Sequence, residues 1–330
     1  MSNINVALFG AGRMGKVHGG NAAKLPGVKI KYVIDPVANA AQALAKSIGA
    51  EVTSPETALA DKDVQAVIIT SPTTTHFDFI TQSAKAGKAI FTEKPVDLSY
   101  ERVVAALEVV NKAKVPFMVG FQRRFDPTFR HMKKQVEAGT IGTVEMVRVT
   151  SRDPSPPPAT YVATSGGLFR DMMIHDFDIA RWFLGEEPNE VFATGSCLVD
   201  PEIGKLKDWD SAVCVLKTPS GKIAQIENSR RAVYGYDQRL EVFGSKGLVQ
   251  AGNVQPTMAQ VWTAEGIRHE KPQPFFPERY PEAYALEVSH FFDAIAAGQE
   301  PEVGGEAGRG SLALADAATK SAQTGQVVKL

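Results

Sequence analysis

One hexapeptide constrains this chain more than anything else in it. Gly10-Ala11-Gly12-Arg13-Met14-Gly15 is a GxGxxG that directly follows the apolar run Ile4–Phe9 and opens a helical pattern. In that context the first glycine makes a tight turn and the second lets a pyrophosphate approach the backbone. The third allows close helix-sheet contact, and the helix N-terminus supplies oriented N–H groups. Asp35, twenty residues after Gly15, ends the next apolar run. A carboxylate there accepts hydrogen bonds from the ribose hydroxyls of NAD and repels the 2′-phosphate of NADP. Pro36-Val37-Ala38-Asn39 offers no arginine to offset that repulsion, so NAD is expected over NADP. The competing reading is a glycine turn in an α/β domain that binds nothing.

Short β-branched runs at 4–9, 28–34, 64–70, 89–92 and 117–120 alternate with helical segments, the pattern of strands buried on both faces. Gly27, Gly49 and Gly87 fall where helices should stop, and Ser54 before Pro55 and Ser99 before Tyr100 where they should start. This predicts an α/β fold, an N-terminal Rossmann domain with a doubly wound parallel sheet. After Phe121 the pattern changes. Arg239-Leu240-Glu241-Val242 alternates with period 2 between turn signals at Pro219-Ser220-Gly221 and Ser245-Lys246-Gly247. A C-terminal α+β domain with a large, mostly antiparallel open sheet is expected, closed by helices over 284–297 and 310–323. A length of 330 residues exceeds what one core holds, so two domains are expected: 1–121 for the dinucleotide, and 122–330 for substrate and oligomerisation. The helix near 310–323 is expected to pack back on the first domain. The Pro154 to Pro158 cluster reads as a stiff loop.

Thirty-six basic against 37 acidic residues leave a net charge of −1, without the basic excess that favours nucleic acid or an anionic membrane. Neither is expected as a partner. The start of the chain lacks a cationic stretch followed by an apolar run, and no later segment is apolar for about 18 residues, so a cytoplasmic location is expected. Cys197 and Cys214 match no metal spacing and read as buried reduced thiols.

Glu93-Lys94-Pro95 follows the run at 89–92, and ligands in open α/β sheets bind outside the carboxyl ends of strands. Lys94 is a candidate there; the alternative is an exposed surface lysine. Further on, Asp171 and His175 stand four apart, on one face of an expected helix. Such a carboxylate can orient an imidazole and raise its basicity, as a general base for a hydroxyl proton requires. The alternative is a helix-terminal Asp and a satisfied core histidine. No cluster has zinc spacing, so no metal is expected, and no GxSxG or Cys-His arrangement suggests covalent catalysis. The expected chemistry is proton plus hydride transfer.

Taken together, GAGRMG, the TEKP that contains Lys94, GFQRRFD at 120–126 and DMMIHDFDIARW at 171–182 resemble the glucose-fructose oxidoreductase and inositol dehydrogenase family along essentially the whole chain. TSRDP at 150–154 and SRRAVYGYDQRLEVFGSKG at 229–247 are similar to the bacterial NAD-dependent inositol 2-dehydrogenases. The resemblance implies Lys94, Asp171 and His175 as catalytic trio, a cis peptide before Pro95, a homotetramer made through the second domain's sheet, and oxidation of myo-inositol at C2. The expected cofactor contacts are Gly10, Ala11, Gly12, Arg13, Met14, Gly15, Asp35, Ser71, Pro72, His76, Glu93, Lys94 and Gln122. Around the substrate, Arg123, Asp153, Tyr161 and Tyr236 join the trio as candidates, because a polyol needs several convergent donors and acceptors. Each of these four is equally compatible with a structural role. His175-Asp176-Phe177-Asp178 departs from the commoner HEID of inositol dehydrogenases. The rivals are a pyranose sugar dehydrogenase of the same family and a catalytically silent NAD-sensing regulator. Retention of Lys94 and His175 together disfavours the sensor.

Overall fold

Strands buried on both faces need apolar side chains on both parities, and Val6, Ala7, Leu8 and Phe9 are all fully buried in β1 (Ile4–Phe9). In the computed structural model, which describes residues 4–330, this strand is central to a six-stranded parallel sheet. Its other members are β2 (Val28–Ile34), β3 (Glu51–Val52), β4 (Val64–Ile69), β5 (Ala89–Glu93) and β6 (Phe117–Gly120), in the order β3-β2-β1-β4-β5-β6. The order reverses between β1 and β4, which makes that point the ligand crevice of a doubly wound sheet.

The connecting helices are α1 (Arg13–Ala22), α2 (Ala38–Ile48), α3 (Pro55–Ala60), α4 (His76–Lys85) and α5 (Tyr100–Ala113). The serine caps act as expected: Ser54 Oγ accepts the Thr57 N–H and Ser99 Oγ that of Arg102. Gly49 ends α2 in the left-handed region. Gly27 is not a helix stop. Helix α1 has already ended at Ala22, and Gly27 shapes the turn into β2, where its carbonyl accepts the Ile4 N–H at 2.7 Å.

By compactness this first unit comprises, among the described residues, 4–125 and 282–309, and the second 126–281 and 310–330. The segment that returns to the first unit is thus 282–309; residues 310–323, expected there, belong to the second. Val119 donates its N–H to Val303 O at 2.9 Å, and Phe91 meets Phe291 edge-on. Nothing local in the sequence around 282–309 announces that membership.

The second unit carries helices α6 (Pro127–Glu137), α7 (Ala159–Ser165), α8 (Leu168–Asp171), α9 (Ile174–Leu184), α10 (Pro201–Lys205) and α11 (Phe276–Arg279). After it, α12 (Pro281–Ala297) and α13 (Gly305–Thr324) close the chain. Its sheet contains β7 (Val144–Arg152), β8 (Glu190–Ser196), β9 (Ser211–Lys217), β10 (Ile223–Ser229), β11 (Asp237–Gly244) and β12 (Gly247–Ala251). A separate hairpin, β13 (Gln260–Thr263) with β14 (Gly266–His269), precedes the last strand, β15 (Val328–Lys329). The seven-stranded order is β12-β11-β7-β10-β9-β8-β15, antiparallel except for the parallel pair β7 and β10. Strict alternation in β9 and β10 sends Cys214, Leu216, Ala224 and Ile226 into a core shared with Phe169, Phe177 and Phe183. Cys214 is buried as expected, but Cys197 is exposed, because it lies one residue past the end of β8.

Candidate active site

The turn after β1 is built around glycines that the fold itself requires. Gly10 sits at φ +102, where a Cβ would come within 2.7 Å of Ser71 N, and a Cβ on Gly15 would lie 2.0 Å from Gly10 O. Gly12 is different: a Cβ there would meet nothing within 4 Å, at an ordinary φ of −73. Its missing side chain serves no internal packing and keeps space open above the N-terminus of α1. That terminus has no side-chain cap and no acidic residue in its first turn, so its N–H groups suit an anion. Both features fit a pyrophosphate. Arg13 is exposed and Met14 half-buried at the same turn.

Asp35 is held from two sides: Oδ2 accepts the Ala11 N–H at 2.7 Å and Oδ1 the Val37 N–H at 2.8 Å. Each oxygen keeps a lone pair for a ribose hydroxyl. Ser71 and Pro72 follow β4, and Ser71 Oγ pairs with Thr75 Oγ1 at 2.6 Å. His76 is buried, with Nδ1 2.8 Å from Pro95 O and Nε2 2.8 Å from Ser71 O. Both neighbours are acceptors, so full satisfaction asks for an imidazolium. Burial pulls the other way and prevails, holding the ring below the ordinary imidazole pKa, and the two carbonyls offset it only in part.

At the end of β5, Lys94 is half-buried and the Lys94-Pro95 peptide is cis, as the resemblance implied. Glu93 is buried; its Oε1 lies 2.6 Å from His18 Nε2, and its Oε2 accepts the Lys94 N–H at 3.2 Å. Gln122 and Arg123, both buried, stand in the 3₁₀ turn Gln122–Phe125 after β6. The cofactor candidates and the Lys94 loop therefore line one edge of the parallel sheet, the carboxyl ends of its strands.

In the second unit Asp171 and His175 do not share one helix. Asp171 closes α8 and His175 lies in the first turn of α9, with Met172 and Met173 between. Met173 donates its N–H to Leu168 O, five residues back, at 3.0 Å, which widens the turn and separates the helices. No glycine or proline marks the break. Asp171 is clamped: Tyr161 donates its hydroxyl to Oδ1 at 2.9 Å, and Arg230 Nη2 lies 3.3 Å from Oδ2. Burial of its hydroxyl end and then the Asp171 carboxylate push the Tyr161 pKa up, although the ring as a whole is exposed. Asn228 Nδ2 donates to Asp176 Oδ2 at 2.8 Å and ties the start of α9 to β10.

Asp153 follows β7, Arg230 follows β10 and Tyr236 precedes β11; the register pairs Ser229 with Arg152 and Arg152 with Asp237, so all three gather at one end of this sheet. Tyr236 is buried edge-on to Phe275 and Tyr280. Arg230, Asn228 and His18 were not among the sequence candidates. Arg230 carried a signal nonetheless: it continues the inward parity of Ala224, Ile226 and Asn228, where an arginine is unexpected without a purpose. Among the described residues no group of His, Cys, Asp or Glu could hold a metal ion, and no helix is long and apolar enough to cross a membrane.

Residues 4–121 match the oxidoreductase family with an NAD-binding Rossmann fold, and residues 129–250 match the GFO/IDH/MocA C-terminal domain. The chain is 50% identical to an inositol 2-dehydrogenase of Rhizobium meliloti, over 96% of each chain. It is 43% identical to a myo-inositol 2-dehydrogenase of Thermotoga maritima, covering 99% of this chain and 98% of that one. The crystal structure of a scyllo-inositol dehydrogenase from Lactobacillus casei, with bound NAD(H) and scyllo-inositol, superposes with a TM-score of 0.93 at 30% identity and 99% coverage of both chains.

Proposed function

The chain belongs to the GFO/IDH/MocA family of NAD-binding oxidoreductases, and from that premise we propose that it oxidises myo-inositol at C2 to the ketone scyllo-inosose. Likeness over the full length to inositol 2-dehydrogenases supports the substrate. The observation that carries the chemistry is Asp171, held between the Tyr161 hydroxyl and the buried Arg230, four residues before His175.

NAD, when bound, supplies the hydride acceptor at its nicotinamide ring. The open space at Gly12 and the uncapped α1 terminus suit its pyrophosphate, and Asp35 its ribose diol. His175, neutral, takes the proton of the reacting hydroxyl as hydride leaves the same carbon. Asp171 orients that ring and stabilises the imidazolium it becomes. The Lys94 ammonium donates to the oxygen while it carries alkoxide charge, which strengthens the interaction toward the transition state. Arg123, Asp153, Tyr161 and Tyr236 serve the remaining hydroxyls.

We further propose a homotetramer assembled through the seven-stranded sheet. One face of that sheet exposes Met146, Phe192, Val213, Val215, Phe243 and Leu248, more apolar surface than a solvated face needs. A cytoplasmic location accords with two free thiols, one of them exposed.

The test is NADH formation, followed by absorbance, with myo-inositol, scyllo-inositol and D-glucose as substrates. Turnover of myo-inositol well above the hexose is expected. A hexose preference would replace the polyol reading with that of a pyranose dehydrogenase, and no turnover of any of them would favour the sensor.

A further inference from the structure

Glu93 ends β5 directly before Lys94, and its two oxygens face different partners. Oε2 accepts the main-chain N–H of Lys94 at 3.2 Å, while Oε1 lies 2.6 Å from Nε2 of His18. His18 is a fully buried ring on α1, the sixth residue of the helix that opens with the glycine turn, and it is edged by Phe91 and Tyr284. Its Nδ1 is buried with no hydrogen-bond partner among the described residues, so the ring proton belongs on Nε2 and is donated to the carboxylate. Gly120 is shaped to the same group, since a Cβ there would stand 3.3 Å from Oε2. On the far side of the lysine, His76 engages Pro95 O at 2.8 Å. The main chain of the lysine is thereby tied at its own N–H and at the carbonyl of the next residue.

We propose that His18 is a positioning residue for Lys94: it locks the Glu93 carboxylate, and the carboxylate locks the backbone from which the lysine reaches the substrate oxygen. The inference rests on the reading of Lys94 as the alkoxide donor. Without His18, a carboxylate bonded at one oxygen alone turns about its last torsion and releases the Lys94 N–H. Misplacing a reacting group by about 1 Å costs roughly 10² in rate. A merely structural His18–Glu93 pair would affect unfolding and leave the lysine's share of turnover untouched.

His18→Leu removes the donor while keeping apolar bulk between Phe91 and Tyr284, and His18→Gln returns a donor near the Nε2 position. Each is made alone and on a Lys94→Ala background, then assayed with myo-inositol, with its C2-deuterated form, and by NADH titration. In His18→Leu, kcat should fall about 10- to 100-fold and the deuterium effect should rise. NADH affinity and the inositol KM should stay within about twofold, and His18→Gln should recover most of the loss. On the Lys94→Ala background His18→Leu should cost nothing further, because the two act through one group. A Lys94→Ala enzyme with intact turnover would overturn the lysine reading and the proposal together. If Lys94→Ala is crippled while His18→Leu turns over normally, or if the two losses multiply in full, only the positioning role falls. Should His18→Leu fail to fold, His18→Met takes its place, again keeping apolar bulk without the donor, with the same expected pattern and the same refuting one.

Discussion

Arg230 reaches Asp171 with its Nη2 3.3 Å from Oδ2, and its side chain is only 1% exposed. A cation so placed fixes the Asp171 carboxylate, and in the proposed mechanism it also opposes the positive charge that His175 would acquire on taking the substrate proton. Arg230→Met should lower kcat about 10-fold or more and destabilise the fold by about 3 kcal/mol, because one half of a buried pair is left alone. The alkaline limb of the oxidation rate should move to higher pH, since His175 then holds its proton more firmly. Asp171→Asn should move the same limb to lower pH. Identical displacements in the two variants would break the assignment.

Lys94→Ala should reduce inositol oxidation by roughly 10² to 10³, the usual loss of one preorganised donor to a developing oxyanion. NADH binding, followed by fluorescence titration, should persist, because the dinucleotide turn is built on other residues. A parallel collapse of binding would place Lys94 with the cofactor and not with the substrate oxygen.

Asp35→Ser should narrow the preference for NAD over NADP by about tenfold, which corresponds to about 1.4 kcal/mol. It should raise the KM for NAD as well, since the carboxylate also accepts the Ala11 and Val37 N–H groups that shape the turn. Steady-state constants with both cofactors test this, and unchanged discrimination would remove Asp35 from the ribose site.

His76 should make stability depend on pH below neutrality. Burial holds its folded pKa below the value of about 6.5 that an unfolded imidazole has. Its contribution is fully present above about pH 6.5. Below that the unfolded chain takes up a proton that the folded chain refuses, and stability falls by up to about 1.4 kcal/mol per pH unit until the folded pKa is reached. Urea unfolding of wild type and His76→Asn from pH 5 to 8 should show the wild-type advantage shrinking with acid. An advantage that grows with acid would mean that the two carbonyls win and the ring is charged.

The parallel sheet was legible because burial on both faces writes continuous apolar runs, and the cap serines because their chemistry is local. Strand β3 was not: Glu51 and Val52 are two exposed residues, too few to show a period. The break between Asp171 and His175 left no mark either, since 171–182 keeps a helical composition across a turn that only tertiary packing widens. Lys94, Asp171 and His175 stood out as residue types in motifs, whereas Arg230 and His18 pair with partners remote in sequence, 59 and 75 positions away. Such pairings are the product of topology, which no window along the chain samples.

The return of 282–309 to the first unit bears on how this dinucleotide module could be moved between proteins. Cutting after residue 121 would strip Val303 from Val119, expose Phe91 where Phe291 covers it, and leave β6 as a bare, apolar sheet edge. A transplantable cassette has to join residue 125 to residue 282 by a linker and end near residue 309, so that chain order is rewritten to follow spatial order. In evolutionary terms the same interleaving ties the two units into one inheritable piece, because a single crossover cannot exchange either of them intact.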